Sequence, residues 1–341
     1  MTIQVRTYRL EQEGSQYELN AGLRLIPQLE SRQVLIRVGA TSLNYRDMLV
    51  RGGAVGPLKP GLVPLSDAAG TVEAVGSGVT RWKVGDRVAP GFFSLWRSGP
   101  FQRKHVSSSL GGGQNDGVLS EKIVADEDAV AAVPDHLTLA EAATLPCAAV
   151  AAWQALFVRA NLQPGQTVLI PGTGGVALFA LQFAAAHGAR PIVLSSSDAK
   201  LERAFSLGAW QGINYKTTPA WHEEVIRITD GIGANHVLEI GGQTTYDQSL
   251  ASVAVGGNIL QIGVLTGVVL RPNLLPLQFI NATIHGLSVG SVEHFASMNA
   301  FIAKHRIRPV IDKTFAFEEA PQAYDYFNNA GRFGKVVISV E

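Results

Sequence analysis

The chain has 341 residues, with 28 basic and 28 acidic side chains and one cysteine, Cys147. This length exceeds one typical domain and suits two, each large enough to bury its own core. The balanced charge offers no excess positive field for a phosphate backbone or an anionic membrane, which argues against nucleic acid and membrane partners. One cysteine excludes an intrachain disulfide framework and a zinc site of four thiolates.

The N-terminal segment, residues 1–6, lacks the basic and then apolar pattern of a secretory signal. Apolar runs elsewhere in the chain do not reach bilayer-spanning length. We therefore expect a soluble protein of the cytoplasm.

Short β-rich runs in the first third alternate with glycine and proline, at residues 33–38, 70–76 and 87–89. This pattern predicts an antiparallel, barrel-like β domain. The stretch 107–117 is rich in glycine and serine and has no periodicity. It is either a flexible loop or a cover over an active site, and its composition leaves both interpretations open.

The fold class changes near residue 139, where helix formers begin to dominate and an Ala-rich helix is predicted over residues 150–158. A regular alternation of strands and helices follows, and it predicts a doubly wound α/β unit. The predicted strands are residues 167–171, 191–195, 236–240, 258–262 and 283–287, with a short one near Ile213, and the predicted helices are residues 176–187, 199–207 and 221–229. This count of about six strands equals a complete dinucleotide-binding sheet.

The last fifty or so residues again differ, with helices predicted over 293–305 and 318–329 and an edge-like strand over 335–340. We expect this segment to rejoin the first domain. The predicted division is therefore a catalytic β domain of residues 1–149 and 291–341, and a cofactor domain of residues 150–290.

The strand at 167–171 runs directly into a glycine-rich turn, Gly172-Thr173-Gly174-Gly175-Val176-Ala177, and then into a helix. In this context the first glycine permits the tight turn, the second lets the backbone approach a pyrophosphate, and the small alanine lets the helix pack closely on the strand. Amide groups at the helix start would face the phosphates. The alternative, a structural turn that binds nothing, is less consistent with the surrounding strands and helices.

The next predicted strand ends at Ser195-Ser196-Ser197, where an NAD site would place an acid on the ribose 2′-hydroxyl. Serine hydroxyls can instead donate to a 2′-phosphate, and Lys200 follows on the next helix. These residues favour NADP(H), although Asp198 lies nearby. In the alternative interpretation the serines form an ordinary helix N-cap and Lys200 is solvated.

Several segments in sequence order resemble the medium-chain dehydrogenase/reductase superfamily over essentially the whole chain. They are residues 43–47 (Leu-Asn-Tyr-Arg-Asp), 64–72, 84–88, 145–148 and the glycine turn. The resemblance implies a GroES-like first domain, a Rossmann second domain and a homodimer. It also implies that Tyr215 lies beside the adenine-ribose phosphate, and that Gly241, Gly263 and Val264 lie near the ribose and nicotinamide.

Zinc-bearing members of this superfamily supply catalytic ligands from a Cys, a Gly-His-Glu segment and a second Cys. The matching positions here are Asn44, Leu65-Ser66-Asp67 and Cys147. Only one thiol remains and the middle position has no histidine, so a three-ligand catalytic zinc site is not expected.

The segment Asn44-Tyr45-Arg46-Asp47 is similar to the zinc-free quinone-oxidoreductase and zinc-type alcohol-dehydrogenase-like branch, where it borders the nicotinamide. The amide, hydroxyl and guanidinium groups could stabilise an oxyanion that forms during hydride transfer. In the alternative interpretation Arg46 and Asp47 form a structural ion pair and Tyr45 packs in the protein.

These features predict a zinc-independent NADP(H)-dependent oxidoreductase that reduces a quinone or an α,β-unsaturated carbonyl. Two alternatives remain open: a metal-free alcohol dehydrogenase or carbonyl reductase, and a protein that binds the cofactor without turnover.

Overall fold

A computed structural model describes residues 3–14, 16–267, 271–328 and 331–341. Met1 and Thr2, at the start of the segment inspected for a secretory signal, and Asn329, the predicted end of the last helix, lie outside the described residues. Within the described ranges, the protein contains no helix that is long and apolar enough to cross a membrane.

The elements are numbered in chain order. The strands are β1 (Ile3–Glu13), β2 (Gln16–Ile26), β3 (Gln33–Ser42), β4 (Asp67–Val75), β5 (Arg87–Pro90), β6 (Lys122–Asp126), β7 (Val130–Ala132), β8 (Thr167–Pro171), β9 (Arg190–Ser195), β10 (Gln211–Asn214), β11 (Ala234–Glu239), β12 (Val253–Gln261), β13 (Thr283–Gly286), β14 (Ile311–Phe315) and β15 (Lys335–Ser339). The α-helices are α1 (Tyr45–Arg51), α2 (Arg103–Val106), α3 (Leu139–Ala142), α4 (Val150–Trp153), α5 (Gly175–Ala186), α6 (Asp198–Ser206), α7 (Trp221–Ile228), α8 (Tyr246–Ser252), α9 (Leu275–Ile280), α10 (Val292–His305) and α11 (Ala320–Asn328). Two π-helical segments, Leu145–Ala149 and Gln154–Arg159, flank α4.

The chain divides into two compact units, the first formed by Met1–Val150 with Gly290–Glu341 and the second by Ala151–Val289. A sheet with strand order β14-β15-β3-β4-β5-β7 dominates the first unit, and β6 also pairs with β3. Its pairs are antiparallel except for β14 with β15. Register shifts in β3 bend the strand, which is how a curved, barrel-like β sheet forms.

The prediction that residues 335–340 form an edge-like strand is wrong. Strand β15 lies inside the sheet, antiparallel to β3 on one side and parallel to β14 on the other. The outer strand β14 was missed because Asp312, Lys313 and Thr314 interrupt its apolar pattern. Such polar residues suit a sheet edge, where they oppose pairing with another chain.

The glycine-rich stretch 107–117 packs against the backbone of Leu65, a buried residue with a φ of +66°. A Cβ at Gly111 or Gly117 would overlap the Leu65 carbonyl. The amide of Val118 also donates to that carbonyl at 3.1 Å. The absence of side chains at these glycines therefore permits a close approach of two backbones, and it holds the segment immediately before Ser66 and Asp67 in place.

The second unit contains a six-stranded parallel sheet with strand order β10-β9-β8-β11-β12-β13. Its central strands are apolar, with Val168, Leu169 and Ile170 of β8 fully buried, because helices cover both faces of such a sheet. The predicted α/β fold is confirmed. The order of the chain along the sheet reverses between β8 and β11, and ligands of open α/β sheets bind outside the carboxyl ends of the strands at such a reversal.

A row of hydrogen-bonded side chains crosses this sheet near Val168. His285 Nε2 lies 2.9 Å from Asn258 Oδ1, Asn258 Nδ2 lies 3.2 Å from His236 Nδ1, and His236 Nε2 lies 2.8 Å from Gln166 Oε1. Because Nδ1 of His236 faces an amide donor, the neutral imidazole fits the row and the imidazolium does not. Burial, with a smaller effect of His285, lowers the pKa of His236 to about 4.

We expect acid to weaken the second unit through His236. The unfolded chain takes up a proton near pH 6.5, whereas folded His236 does so only near pH 4, so the free energy of unfolding falls as the pH drops between these values. Over this pH range the free energy of unfolding falls by about 3 kcal/mol. Denaturant unfolding across this range should show a shallower pH dependence for His236→Gln than for wild type. The exposed residue His305 provides the control His305→Gln, and equal slopes for wild type and His236→Gln would contradict this expectation.

Candidate functional site

The glycine turn leaves room for a ligand at the carboxyl end of β8. Gly172 has a φ of +138°, which side chains disfavour, and Gly174 is the N-cap of α5. A Cβ at Gly174 would meet no heavy atom within 4 Å, so the backbone there faces open space. The first amide groups of the twelve-residue helix α5, beginning with Gly175 and Val176, have no acceptors inside the helix. This arrangement fits a phosphate or pyrophosphate group.

Strand β9 ends at Ser195, beside the end of β10. The carbonyl of buried Ser195 accepts from the amide of Tyr215 at 3.0 Å, which places the backbone of Tyr215 next to the serine turn. Lys200 lies in the first turn of α6 and is partly exposed. Ser195, Tyr215 and Lys200 thus lie at or close to two neighbouring strand ends.

Two neighbours bear on the alternative interpretation of the serines. Ser197 occupies the N-cap position of α6, but across the described ranges its side chain makes no capping hydrogen bond. The carboxylate of Asp198 accepts from the Asn214 side-chain amide at 2.7 Å. The nearest acid is therefore bound to a neighbouring residue at the start of a helix rather than standing at the strand end.

A buried carboxylate that the sequence analysis missed shapes the end of β11. Glu239 is fully buried and accepts from the Gly242 amide and the Thr245 hydroxyl, each at 2.7 Å, and from the Ser249 hydroxyl. Gly242 has a φ of +101°. Glu239 thereby holds the Gly241-Gly242 turn closed. An acid as the last residue of a buried strand, one residue ahead of two glycines, is the sequence signal that could have identified it.

The end of β12 lies against the same turn. Gly263 lies so close to the backbone of Ile240 that a Cβ at position 263 would be 2.5 Å from the Ile240 carbonyl oxygen. The structure thus brings Gly172, Gly241 and Gly263 to the carboxyl edge of one sheet, at the ends of β8, β11 and β12. Val264 follows Gly263 directly at this edge.

The first unit contains a separate polar cluster formed by Asn44, Asp67, Lys335 and Cys147. The ammonium of Lys335, with only 3% of its side chain exposed, donates to the Asn44 side-chain oxygen at 2.6 Å and to the Leu43 carbonyl at 2.8 Å. It lies 3.6 Å from a carboxylate oxygen of Asp67. Asp67 also accepts from the Ser66 hydroxyl at 2.7 Å and from the Cys147 amide at 3.2 Å.

The other residues of the predicted catalytic segment are held in structural contacts. Asp47 is buried in the first turn of α1 and accepts from the Asn44 backbone amide at 2.7 Å. Burial, opposed by Arg46, raises the pKa of Asp47 to about 6. The guanidinium of Arg46 donates to the Leu110 carbonyl at 2.9 Å and lies over the Phe92 ring. Tyr45 is half-buried and packs against the apolar core of this unit.

The Arg46 to Asp47 distance of 3.5 Å matches the structural ion pair that the sequence left as an alternative. Of the four predicted catalytic residues, Asn44 alone has a buried side-chain donor, Nδ2, without a partner among the described residues. The structure therefore favours Asn44 over Arg46 and Asp47 as a group that acts on a substrate.

The cluster does not fit a catalytic zinc ion. The positions that match the zinc ligands hold an amide, Asn44, and a thiol, Cys147, whose pKa is raised by burial and by the nearby Asp67 carboxylate. Zinc binds the thiolate form of cysteine. The ammonium of Lys335 already lies between Asn44 and Asp67, where a second cation would be repelled. Across the described residues no group of three His, Cys, Asp or Glu side chains could hold a metal.

Comparison with known proteins agrees with this architecture. The sequence family of the alcohol dehydrogenase GroES-like domain matches residues 30–135, and the sequence family of zinc-binding dehydrogenases matches residues 175–304. A zinc-type alcohol dehydrogenase-like protein of Schizosaccharomyces pombe is 43% identical over 93% of both chains. A quinone oxidoreductase of Pseudomonas aeruginosa is 32% identical over 86% of both. A crystal structure of a Sinorhizobium meliloti 1021 protein assigned to the alcohol dehydrogenases superposes with a TM-score of 0.93, at 41% identity over 100% of both chains.

A GroES-like β unit with a parallel Rossmann sheet defines a class of oxidoreductases that use a nicotinamide cofactor. The chain belongs to the medium-chain dehydrogenase/reductase superfamily.

Because its pKa is raised, the thiol of Cys147 should react slowly with thiol reagents at neutral pH. We expect the native protein to react at least about tenfold more slowly than the same chain unfolded in denaturant, where the pKa returns to about 8.5. Release of the chromophore from an aromatic disulfide reagent measures both rates on this single cysteine. Fast labelling of the folded protein would show that a thiolate is present and would reopen metal binding at this position.

Proposed function

We propose that this chain is a zinc-independent, NADP(H)-dependent oxidoreductase that reduces quinones or α,β-unsaturated carbonyl compounds. The observation that carries the proposal is the pair of strand ends in the second unit. β8 ends in an open glycine turn, and β9 ends at Ser195 with no acid at the position that would bind a free ribose 2′-hydroxyl. The likeness to a quinone oxidoreductase supports the substrate class.

In this proposal the glycine turn and the first amides of α5 bind the pyrophosphate, with Thr173 and Ala177 packed beneath it. Ser195, Ser196 and Lys200 bind the 2′-phosphate, and Tyr215 covers the adenine ribose. The Gly241 turn, Gly263 and Val264 bind the nicotinamide end. A fixed site built from backbone amides positions the cofactor at little entropic cost.

When bound, the cofactor supplies or accepts a hydride. The chain's own contribution is to stabilise the oxygen on which negative charge develops, and the side-chain amide of Asn44 is the proposed donor. Donation from a buried amide costs little reorganisation, because its surroundings exclude water. Without a Lewis acid to lower the pKa of an alcohol, carbonyl reduction is favoured over alcohol oxidation.

We also propose a homodimer formed through the second unit. Strand β13 ends the order of the parallel sheet, so among the described residues one side of it has no neighbouring strand. Apolar side chains of α9 near that edge are exposed, with Leu275 at 58% and Phe279 at 74%. Pairing with a second copy would cover both features.

The first test concerns cofactor preference. Titration of NADPH and NADH should show tighter binding of NADPH to wild type. Lys200→Ala removes a charge-assisted hydrogen bond and should weaken NADPH by about tenfold to a hundredfold while NADH is unaffected. Ser195→Asp adds a repulsive charge for the 2′-phosphate and an acceptor for a free ribose hydroxyl, so it should favour NADH.

Matched controls separate these effects from general charge changes. Ser206→Asp adds the same charge at the other end of α6, and Lys304→Ala removes an exposed lysine from α10. Neither should change the ratio of the two affinities. A wild-type protein that prefers NADH, or a Lys200 change that affects both cofactors equally, would refute the proposed phosphate pocket. Oxidation of NADPH with a panel of quinones, enones, aldehydes and alcohols then tests the reaction.

A second test concerns the metal. Because an amide and a protonated thiol occupy the ligand positions and the Lys335 ammonium lies beside the amide, elemental analysis of the purified protein should find no stoichiometric zinc. Prolonged treatment with a chelator should leave turnover unchanged. The hypothesis of a zinc-independent enzyme would be overturned if the protein contained one zinc per chain and the chelator removed both zinc and activity. Activity would then return when zinc is added back.

A further inference from the structure

Lys335 is a buried lysine that the proposed reaction does not itself use. It begins β15, close to the C-terminal end of the chain, and its ammonium lies against Leu43 and Asn44, almost three hundred residues earlier in sequence. Burial of an ammonium is unfavourable unless it is paired and hydrogen-bonded. Here two oxygen acceptors and the Asp67 carboxylate satisfy it.

The chemistry of this contact determines which way the Asn44 amide faces. An ammonium has donors only, so the group that faces Lys335 at 2.6 Å must be the oxygen, Oδ1. The other group, the Nδ2 amine, is then directed away from Lys335. Although it is buried, it has no partner among the described residues. A buried donor without an acceptor is costly, and a ligand oxygen is the acceptor that would satisfy it.

We propose that Lys335 is a positioning residue, which holds the Asn44 amide with its oxygen turned inward and so presents Nδ2 as a fixed donor to the substrate oxygen. The inference rests on the proposed function, because it assigns the acceptor of Nδ2 to the substrate. Hydrogen bonding by the ammonium also polarises the amide and strengthens Nδ2 as a donor. The charge that a metal would provide at this position thus comes from the chain itself.

A double-mutant cycle tests the link between Lys335 and Asn44. Lys335→Met removes the ammonium, and the side-chain amide of Asn44 is then free to rotate and exchange the positions of Oδ1 and Nδ2. Loss of one oxyanion donor lowers kcat by about a hundredfold or more, so Lys335→Met and Asn44→Ala should each approach that loss, with the KM for NADPH unchanged. If Lys335 acts through Asn44, Lys335→Met should have little further effect in the Asn44→Ala background.

Lys313→Met is the matched control, because Lys313 lies on the neighbouring strand β14 with an exposed side chain and should leave kcat unchanged. Lys335→Met alone leaves Asp67 buried without its cation, which could prevent folding. The variant Lys335→Met with Asp67→Asn removes both charges. It should fold with a normal thermal transition and still lose turnover, relative to Asp67→Asn alone.

Effects of Lys335→Met and Asn44→Ala that simply multiply, or full turnover in the charge-neutral double variant, would overturn the assignment. Nuclear magnetic resonance of protein with ¹⁵N-labelled asparagine gives a readout that does not depend on activity. The Asn44 side-chain amide, identified by its loss in Asn44→Ala, should shift and exchange its protons faster in the charge-neutral double variant than in Asp67→Asn, and be unchanged in Lys313→Met. If wild type reduces none of the compounds tested, the proposed function fails, and an unchanged Asn44 signal would separately refute the role of Lys335.

Discussion

The polar cluster of the first unit depends on one buried cation. Taking the Lys335 ammonium out of water is unfavourable, and the structure compensates by bringing together a backbone carbonyl, an amide oxygen and a carboxylate. The acceptors come from the turn before α1 and from the start of β4, and the ammonium comes from β15. The ammonium therefore joins these segments, and the positions of Asn44 and Asp67 follow from its requirement for acceptors.

The second unit also contains a buried charged side chain that fixes its neighbours, and this charge is negative. The buried carboxylate of Glu239 accepts from a backbone amide and two hydroxyl groups and so fixes the turn that begins at Gly241. Carboxylates accept such bonds strongly because they are ionised. In both units a buried charge at one end of a strand fixes the position of a neutral amide: the Asn44 side chain in the first unit and the Gly242 backbone in the second. The groups proposed to face the pyrophosphate and the substrate oxygen are themselves uncharged: backbone amides in the second unit and a side-chain amide in the first.

Much of the fold follows from the sequence, because its signals are local. Alternation of apolar strands with helices identifies the parallel sheet, and the Gly172 turn is recognisable from its place between a strand and a helix. These local patterns do not show contacts between residues that are far apart in the sequence. Lys335 appears in sequence as the first residue of a surface strand, and only pairing of β15 with β3 shows that it is buried beside Asn44. Glu239 was missed because its partners, Gly242, Thr245 and Ser249, come after the strand, whereas strands are identified by a pattern that repeats within them. The segment Asn44 to Asp47 was found, but sequence alone could not separate Asn44 from Arg46 and Asp47, whose contacts are structural.

The place of β15 inside its sheet has a consequence for synthesis. The second unit is continuous in sequence, from Ala151 to Val289, so it can fold while the ribosome is still translating the chain. The first unit must wait for β15, which pairs with β3 but follows the whole second unit in sequence. Until β15 has been made, Ala40, Thr41 and Ser42 of β3 lack this partner strand and are open to chaperones or to incorrect pairing with another chain.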